Sequence, residues 1–218
     1  MERAECIFKC ELLLIKDESI VKFVLNVFDK LTPEHFWTAP ASSTGKYHPR
    51  LSVGTGGLVR HTKYAIWWAQ RLAKVYRFGQ DELNVVVAAL LLHDLFKFGR
   101  NKVIFNDGGA CEVDGNDELI RAKDIEKEIR SKTIKTHGFD LANAIVDEMP
   151  IRDKREYLVT TAIRYHMGQW SFDEPNEYQM HEINSNLLTP VVGFVHLADY
   201  CSAQPVDQAI ELFTKPKE

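Results

Sequence analysis

The chain contains no apolar run approaching the ~18 residues that a membrane-spanning helix needs. Its opening, Met1-Glu2-Arg3-Ala4-Glu5, has no cleavable-signal architecture, and the apolar stretch Leu12 to Ile15 is too short to supply one. Both absences predict a soluble, cytoplasmic protein with no membrane partner. Cysteine is sparse: Cys6, Cys10, Cys111 and Cys201 form neither a CxxC pair nor zinc-ribbon spacing, which predicts reduced thiols rather than disulfides. Cys6 and Cys10 can share a helical face, but two thiols do not complete a metal site. A formal net charge of −4 argues against a dedicated nucleic-acid binder, though a local basic groove stays compatible with it. There is no internal repeat and no low-complexity tract.

What is present is helical periodicity. The 218 residues, 45% apolar, suffice for one sizeable core. Ile20, Phe23, Val24, Val27, Phe28 and Leu31 follow the spacing of an amphipathic helix, with Asp17 placed to cap it and Pro33 just beyond its end. Further helices are predicted at about Leu58 to Tyr76, Asp81 to Phe96, Phe139 to Met149, Asp153 to His166, Pro190 to Cys201 and Val206 to Phe213. Thr189 before Pro190 is a good helix start, since Thr can cap and Pro fits a first turn. Two segments break the rhythm. Thr38 to Pro49 reads as a long ordered loop of the kind that usually carries function. Gly99 to Gly115 can form a hairpin around Val103-Ile104-Phe105 and Cys111-Glu112-Val113, and Glu118 to Arg130 then reads as a solvated helix. The fold class expected is all-α.

Chemistry enters with His93-Asp94, which closes the apolar run Val85 to Leu92. A carboxylate beside a core helix costs several kcal/mol unless it is paired, hydrogen-bonded or metal-bound, and the adjacent His makes a divalent cation an economical partner. A lone His-Asp dipeptide more often simply ends a helix. Here His61 precedes it, and Asp199 follows inside another apolar stretch, Val191 to Tyr200. His137 opens an amphipathic segment with Leu141, Ala142, Ile145 and Val146 on one face, and His166 closes another in which Leu158, Ala162 and Tyr165 face inward.

This order, His, His-Asp, His, His, Asp on separate helices, resembles the two-metal branch of the HD superfamily of metal-dependent phosphohydrolases. The likeness runs from about Ala39 to Ala203. Gly56-Gly57-Leu58-Val59-Arg60-His61-Thr62 is similar to the start of the family's first ligand helix. Leu91-Leu92-His93-Asp94-Leu95-Phe96-Lys97 is similar to its His-Asp core, with Phe96 where Gly is usual. His196-Leu197-Ala198-Asp199-Tyr200-Cys201-Ser202-Ala203 is similar to its terminal ligand helix. Pro40-Ala41, His48 and Gly56-Gly57-Leu58 resemble a passage in the HD domain of bacterial 3'-to-5' exoribonucleases, but only His48 stands where those proteins have two histidines. No nucleic-acid-binding domain is read before His61, so a nucleotide or short phosphodiester is the better expected substrate.

The resemblance implies a single HD domain over 1–218, an all-α helical bundle with an N-terminal helix and loop (1–56), a metal-binding core (57–203) and a C-terminal helix (204–218). It implies two divalent ions, Mn, Fe or Mg, held by His61, His93, Asp94, His137, His166 and Asp199. Asp94 would bridge them, and a metal-bridging hydroxide would attack the phosphorus. Lys97 is expected to serve catalysis and, with Lys46 and His48, to flank the phosphate of a small phosphorylated substrate. The same ligand order occurs in mixed-valent diiron oxygenases, and a non-catalytic nucleotide-sensing module is a third reading.

Overall fold

The computed structural model of the chain describes residues 2–42, 48–100, 103–106, 109–112 and 134–204. The described residues form an all-α bundle with one small hairpin. Its helices are α1 (Glu2–Ile7), α2 (Lys9–Leu12), α3 (Glu18–Leu31), α4 (Gly57–Tyr76), α5 (Gln80–Leu92), α6 (His137–Glu148), α7 (Lys154–Tyr165), α8 (Glu177–Leu187) and α9 (Pro190–Ala203). Short 3-10 turns occur at Glu34–Trp37, Arg50–Ser52 and Gly168–Ser171. The hairpin pairs β1 (Val103–Asn106) with β2 (Gly109–Glu112) in antiparallel register, with Ile104 opposite Cys111. The expected helices at Glu118 to Arg130 and Val206 to Phe213 lie outside the described residues. No described helix is long and apolar enough to cross a membrane.

Helix α5 is the axis of the bundle. Every residue from Asn84 to Leu92 is buried, because α3, α4, α7 and α9 pack around it. A helix apolar on all sides is stable in water only when enclosed in this way. Each leucine removed from solvent contributes ~1.5–3 kcal/mol. Enclosure also determines what happens at the helix's end, since a polar residue there emerges inside the protein.

Helix boundaries follow local chemistry. Asp17 accepts from the backbone N–H groups of Ser19 (2.9 Å) and Ile20 (3.3 Å) at the start of α3, satisfying donors that the helix itself leaves unpaired. Asp153 does the same for α7 through Arg155 and Glu156. Thr189 occupies the N-cap of α9 but makes no side-chain cap bond, so the fixed φ of Pro190 defines that start. Helix α8 was not anticipated. Ile183 is its one fully buried residue, which leaves almost no apolar period to read, and an Asn176/Gln179 capping box marks its start instead. Val146, expected on the inner face of α6, is 53% exposed. The packed face of that helix is the narrower one carrying Leu141, Ala142 and Ile145.

The loop before α4 is built as a scaffold. A Cβ on Gly57 would stand 2.1 Å from the Ser52 carbonyl oxygen, so glycine is required by close approach of two backbones. The N–H groups of Gly56 and Leu58 donate to Thr38 and Ala39 at 2.8 and 2.9 Å. The Arg60 guanidinium donates to the carbonyls of Leu51, Val53 and Thr55. These bonds hold the first turn of α4, and with it His61, in one orientation.

Candidate metal centre

Six donor side chains converge where the ends of three helices meet α4 and α9. His61 lies in the second turn of α4, His93 is the C-cap of α5, and Asp94 follows it. His137 opens α6, His166 is the C-cap of α7, and Asp199 lies in α9. All six expected ligands are therefore brought together. The last carbonyls of a helix lack intrahelical partners, and the two C-cap histidines use them. His93 Nδ1 donates to Leu90 O at 2.7 Å, and His166 Nδ1 donates to Ile163 O at 2.7 Å. His137 Nδ1 donates to Ile134 O at 2.5 Å. His61 Nδ1 lies 3.2 Å from Ser202 Oγ, whose own proton goes to Asp199 O at 2.7 Å. Each outer bond places the ring proton on Nδ1 and leaves Nε2 as a bare lone pair aimed inward.

The inward atoms surround Asp94. Its Oδ2 is 3.5 Å from His61 Nε2 and 3.4 Å from His93 Nε2, whereas its Oδ1 is 2.9 Å from His137 Nε2 and 3.6 Å from His166 Nε2. Asp199 Oδ1 completes the first side at 2.9 Å from His61 Nε2 and 3.4 Å from His93 Nε2. On the second side, His137 Nε2 and His166 Nε2 face each other at 2.9 Å. Two imidazoles whose protons are both on Nδ1 cannot hydrogen-bond through Nε2. A cation between them removes the lone-pair repulsion. His93 Nε2 points the same way, being fully buried without a hydrogen-bond partner, an unfavourable state for a polar atom. Three donor groups have the mutual spacing to hold an ion: His61/His93/Asp94, His93/His166/Asp199 and Asp94/His137/His166. Imidazole and carboxylate donors of this kind suit zinc, iron, manganese and related divalent ions.

The electrostatics agree with that chemistry. Burial works against the charged forms of Asp94 and Asp199, yet both carboxyls are held well below the usual range: Asp94 chiefly by Lys97 and His93, Asp199 chiefly by the facing imidazoles of His61 and His93. Burial pushes His61 down and His166 down to about 4, favouring the neutral imidazoles that metals require. For His93 burial is opposed and outweighed by the adjacent Asp94 and Asp199, which push it up.

Lys97 is not the solvated lysine that a helix end would suggest. It is 6% exposed, in a turn beyond α5, and its Nζ lies 2.7 Å from Asp94 Oδ2. Phe96 is buried in the core. His48 packs edge-on against His61 with ring centroids 4.9 Å apart. Burial, followed by the nearby Lys97, lowers its pKa to about 2. Lys46 lies outside the described residues.

Two residues near the cluster were missed in the sequence. Ser202 follows Asp199 by three positions on α9, a spacing that puts it on the same face, and it orients His61. His196 Nδ1 donates to His166 O at 2.6 Å, tying the end of α7 to α9, and nothing in its sequence context distinguishes it. Fold and site together define an all-α bundle with a buried His/Asp cluster that can hold metal. Comparison with models of known protein families, with curated proteins and with solved structures gives no match to this chain.

Proposed function

We propose that the chain is a metal-dependent phosphohydrolase of the HD type, acting on a nucleotide or short phosphodiester. The observation that carries this reading is the orientation of Asp94, whose two oxygens face separate groups of inward-pointing imidazoles. His61, His93, Asp94 and Asp199 would hold one divalent ion, and Asp94, His137 and His166 a second. Such ions supply Lewis acidity, lowering the pKa of water toward neutrality and offsetting charge on phosphoryl oxygens.

The remaining groups suit a phosphate ester. Lys97 Nζ stands 2.7 Å from Asp94 Oδ2, where it would meet a phosphoryl oxygen as negative charge develops. His48 lies beside His61, where it would touch substrate rather than metal. Near-complete burial of His93, Asp94, His137 and His166 excludes bulk water, which strengthens each of these interactions.

The test is a screen of phosphomonoesters, nucleoside triphosphates, cyclic dinucleotides and short oligonucleotides with Mn²⁺ or Fe²⁺ added. Phosphate or nucleotide release is expected for at least one class. Lys97→Ala should keep its metal and lose ~10²- to 10³-fold in turnover, with His48→Ala acting mainly on KM. Oxygen consumption without phosphate release would identify a diiron oxygenase. Tight nucleotide binding without any product would identify a sensing module.

A further inference from the structure

Asp199 is the most exposed of the six cluster side chains. Its side chain is 15% exposed, against 1% or less for His61, His93, Asp94, His137 and His166. Aromatic residues neighbour it along α9. Tyr200 is the next residue of α9, and His196 lies one helical turn before it. Trp170, four residues beyond the cluster's His166, stacks on Tyr200 with ring centroids 5.7 Å apart and planes 4° from parallel. It also lies over His196 at 5.7 Å and 28°.

The turn that delivers Trp170 is tightly set. Gly168 has φ of +55°, and a Cβ there would come within 2.8 Å of His196 Cε1, so the backbone rests directly on the His196 ring. His196 is in turn bonded to His166 O. Trp170 is therefore held in place by the same contacts that position a cluster histidine. Despite this, Trp170 is 45% and Tyr200 44% exposed. A tryptophan recruited only for packing would be driven inward, since burial of its surface is its main contribution. Helix α9 already packs through Val191, Val192, Phe194 and Val195, all buried. Trp67, the other tryptophan of similar exposure, differs: the Arg71 guanidinium sits 3.3 Å over its ring. Among the described residues no cation covers Trp170.

We propose that Trp170 and Tyr200 form a stacking platform that positions the base of a nucleotide substrate beside the partly exposed Asp199. The inference rests on the phosphohydrolase reading for the phosphate end of that substrate. The outward face of the Trp170–Tyr200 stack is a flat apolar surface, and every nucleobase has a π-face to lay on it. Stacking of this kind is worth roughly 5- to 100-fold in affinity and discriminates little among bases. The platform thus selects for the presence of a base, with the cluster and Lys97 engaging the phosphate.

The test compares two ligands on the full-length, Mn²⁺-loaded protein by calorimetry. They are the phosphonate isosteres of adenosine 5'-monophosphate and of ribose 5-phosphate, in which a CH₂ replaces the ester oxygen and blocks hydrolysis. The wild type should prefer the adenosine ligand by roughly 5- to 100-fold. Trp170→Ala and Tyr200→Ala should bring that ratio toward one, and Trp170→Phe should retain most of it. A purely structural role would weaken both ligands in parallel and leave the ratio intact, which overturns the proposal. So does a wild-type ratio near one. Tyr200→Ala changes an exposed side chain and keeps the test decisive should Trp170→Ala fail to fold. Phosphate release from authentic esters, measured separately, judges the hydrolase reading. If no ester is cleaved yet the ratio still follows Trp170, that reading fails and the platform stands.

Discussion

The two sides of Asp94 are unlike. On one, His61 and His93 face a second carboxylate, Asp199, giving four donors and two negative charges. On the other, His137 and His166 face each other, with the Asp94 Oδ1 as their nearest anionic oxygen. A divalent ion is bound more tightly where more donors and more opposing charge converge. The first side is therefore expected to load first, and the second only in its presence or at higher metal concentration. The orienting contacts differ as well. His61 is held by a serine hydroxyl of another helix, whereas His93, His137 and His166 are held by carbonyls three residues before them.

The largest effect should follow from the residue both sides share. Asp94→Ala should abolish metal binding on both sides and leave the Lys97 ammonium buried without its partner, at ~3–5 kcal/mol of stability. Elemental analysis and denaturant unfolding measure the two consequences, and full metal occupancy in the variant would refute the assignment. Next come changes that separate the sides. Asp199→Ala should remove the tighter phase of a Mn²⁺ titration, while His137→Ala or His166→Ala should remove the weaker one and take the stoichiometry from two to one. Equal effects of all three substitutions would collapse the distinction between the sides. If the wild type saturates at one ion, His137 and His166 belong to substrate rather than to metal.

Smaller effects sharpen the comparison. Ser202→Ala frees the His61 ring and should weaken the tighter phase ~10- to 100-fold, with the weaker phase unaffected. Asp17→Ala, at the α3 N-cap, should cost ~1 kcal/mol of stability and leave both metal phases unchanged. The bond from the Ser19 hydroxyl is the main cause holding the Asp17 carboxyl below its ordinary 3.8. The folded pKa being the lower one, its contribution is fully present above 3.8 and is lost as pH falls through the folded value. The gap in stability between wild type and variant should accordingly close in acid. A persistent gap would show that Asp17 acts there by something other than its charge.

The bundle was legible because its helices bury continuous apolar stripes. In α3 and α5 those stripes run unbroken, and the position of His93-Asp94 at the end of an enclosed helix already implied a buried ionic site. Helices α1 and α2 escaped notice because neither is longer than six residues, too few to show a period. Val146 was misplaced because a stripe four residues wide at the sequence level packs along only part of its width. Lys97 was ambiguous for a different reason: a lysine three residues after an aspartate suits a solvated helix end equally well, and only the surrounding chain decides whether water reaches it.

Residue type and spacing alone determined that the protein is helical and that a cation is an economical partner for the buried His93-Asp94 pair; the wider set of His and Asp donors followed from the resemblance of their order to a known ligand set. The first two conclusions depend on local periodicity and on the cost of burying charge, both written along the chain. Tertiary structure alone decided that the two oxygens of Asp94 face different imidazoles, that each ring is locked with Nε2 inward, and that Trp170 lies flat on Tyr200. Each of these is a relation between side chains on separate elements. The direction of a ring at a helix end is set by whichever carbonyl or hydroxyl it meets through space, and sequence distance carries no record of that meeting.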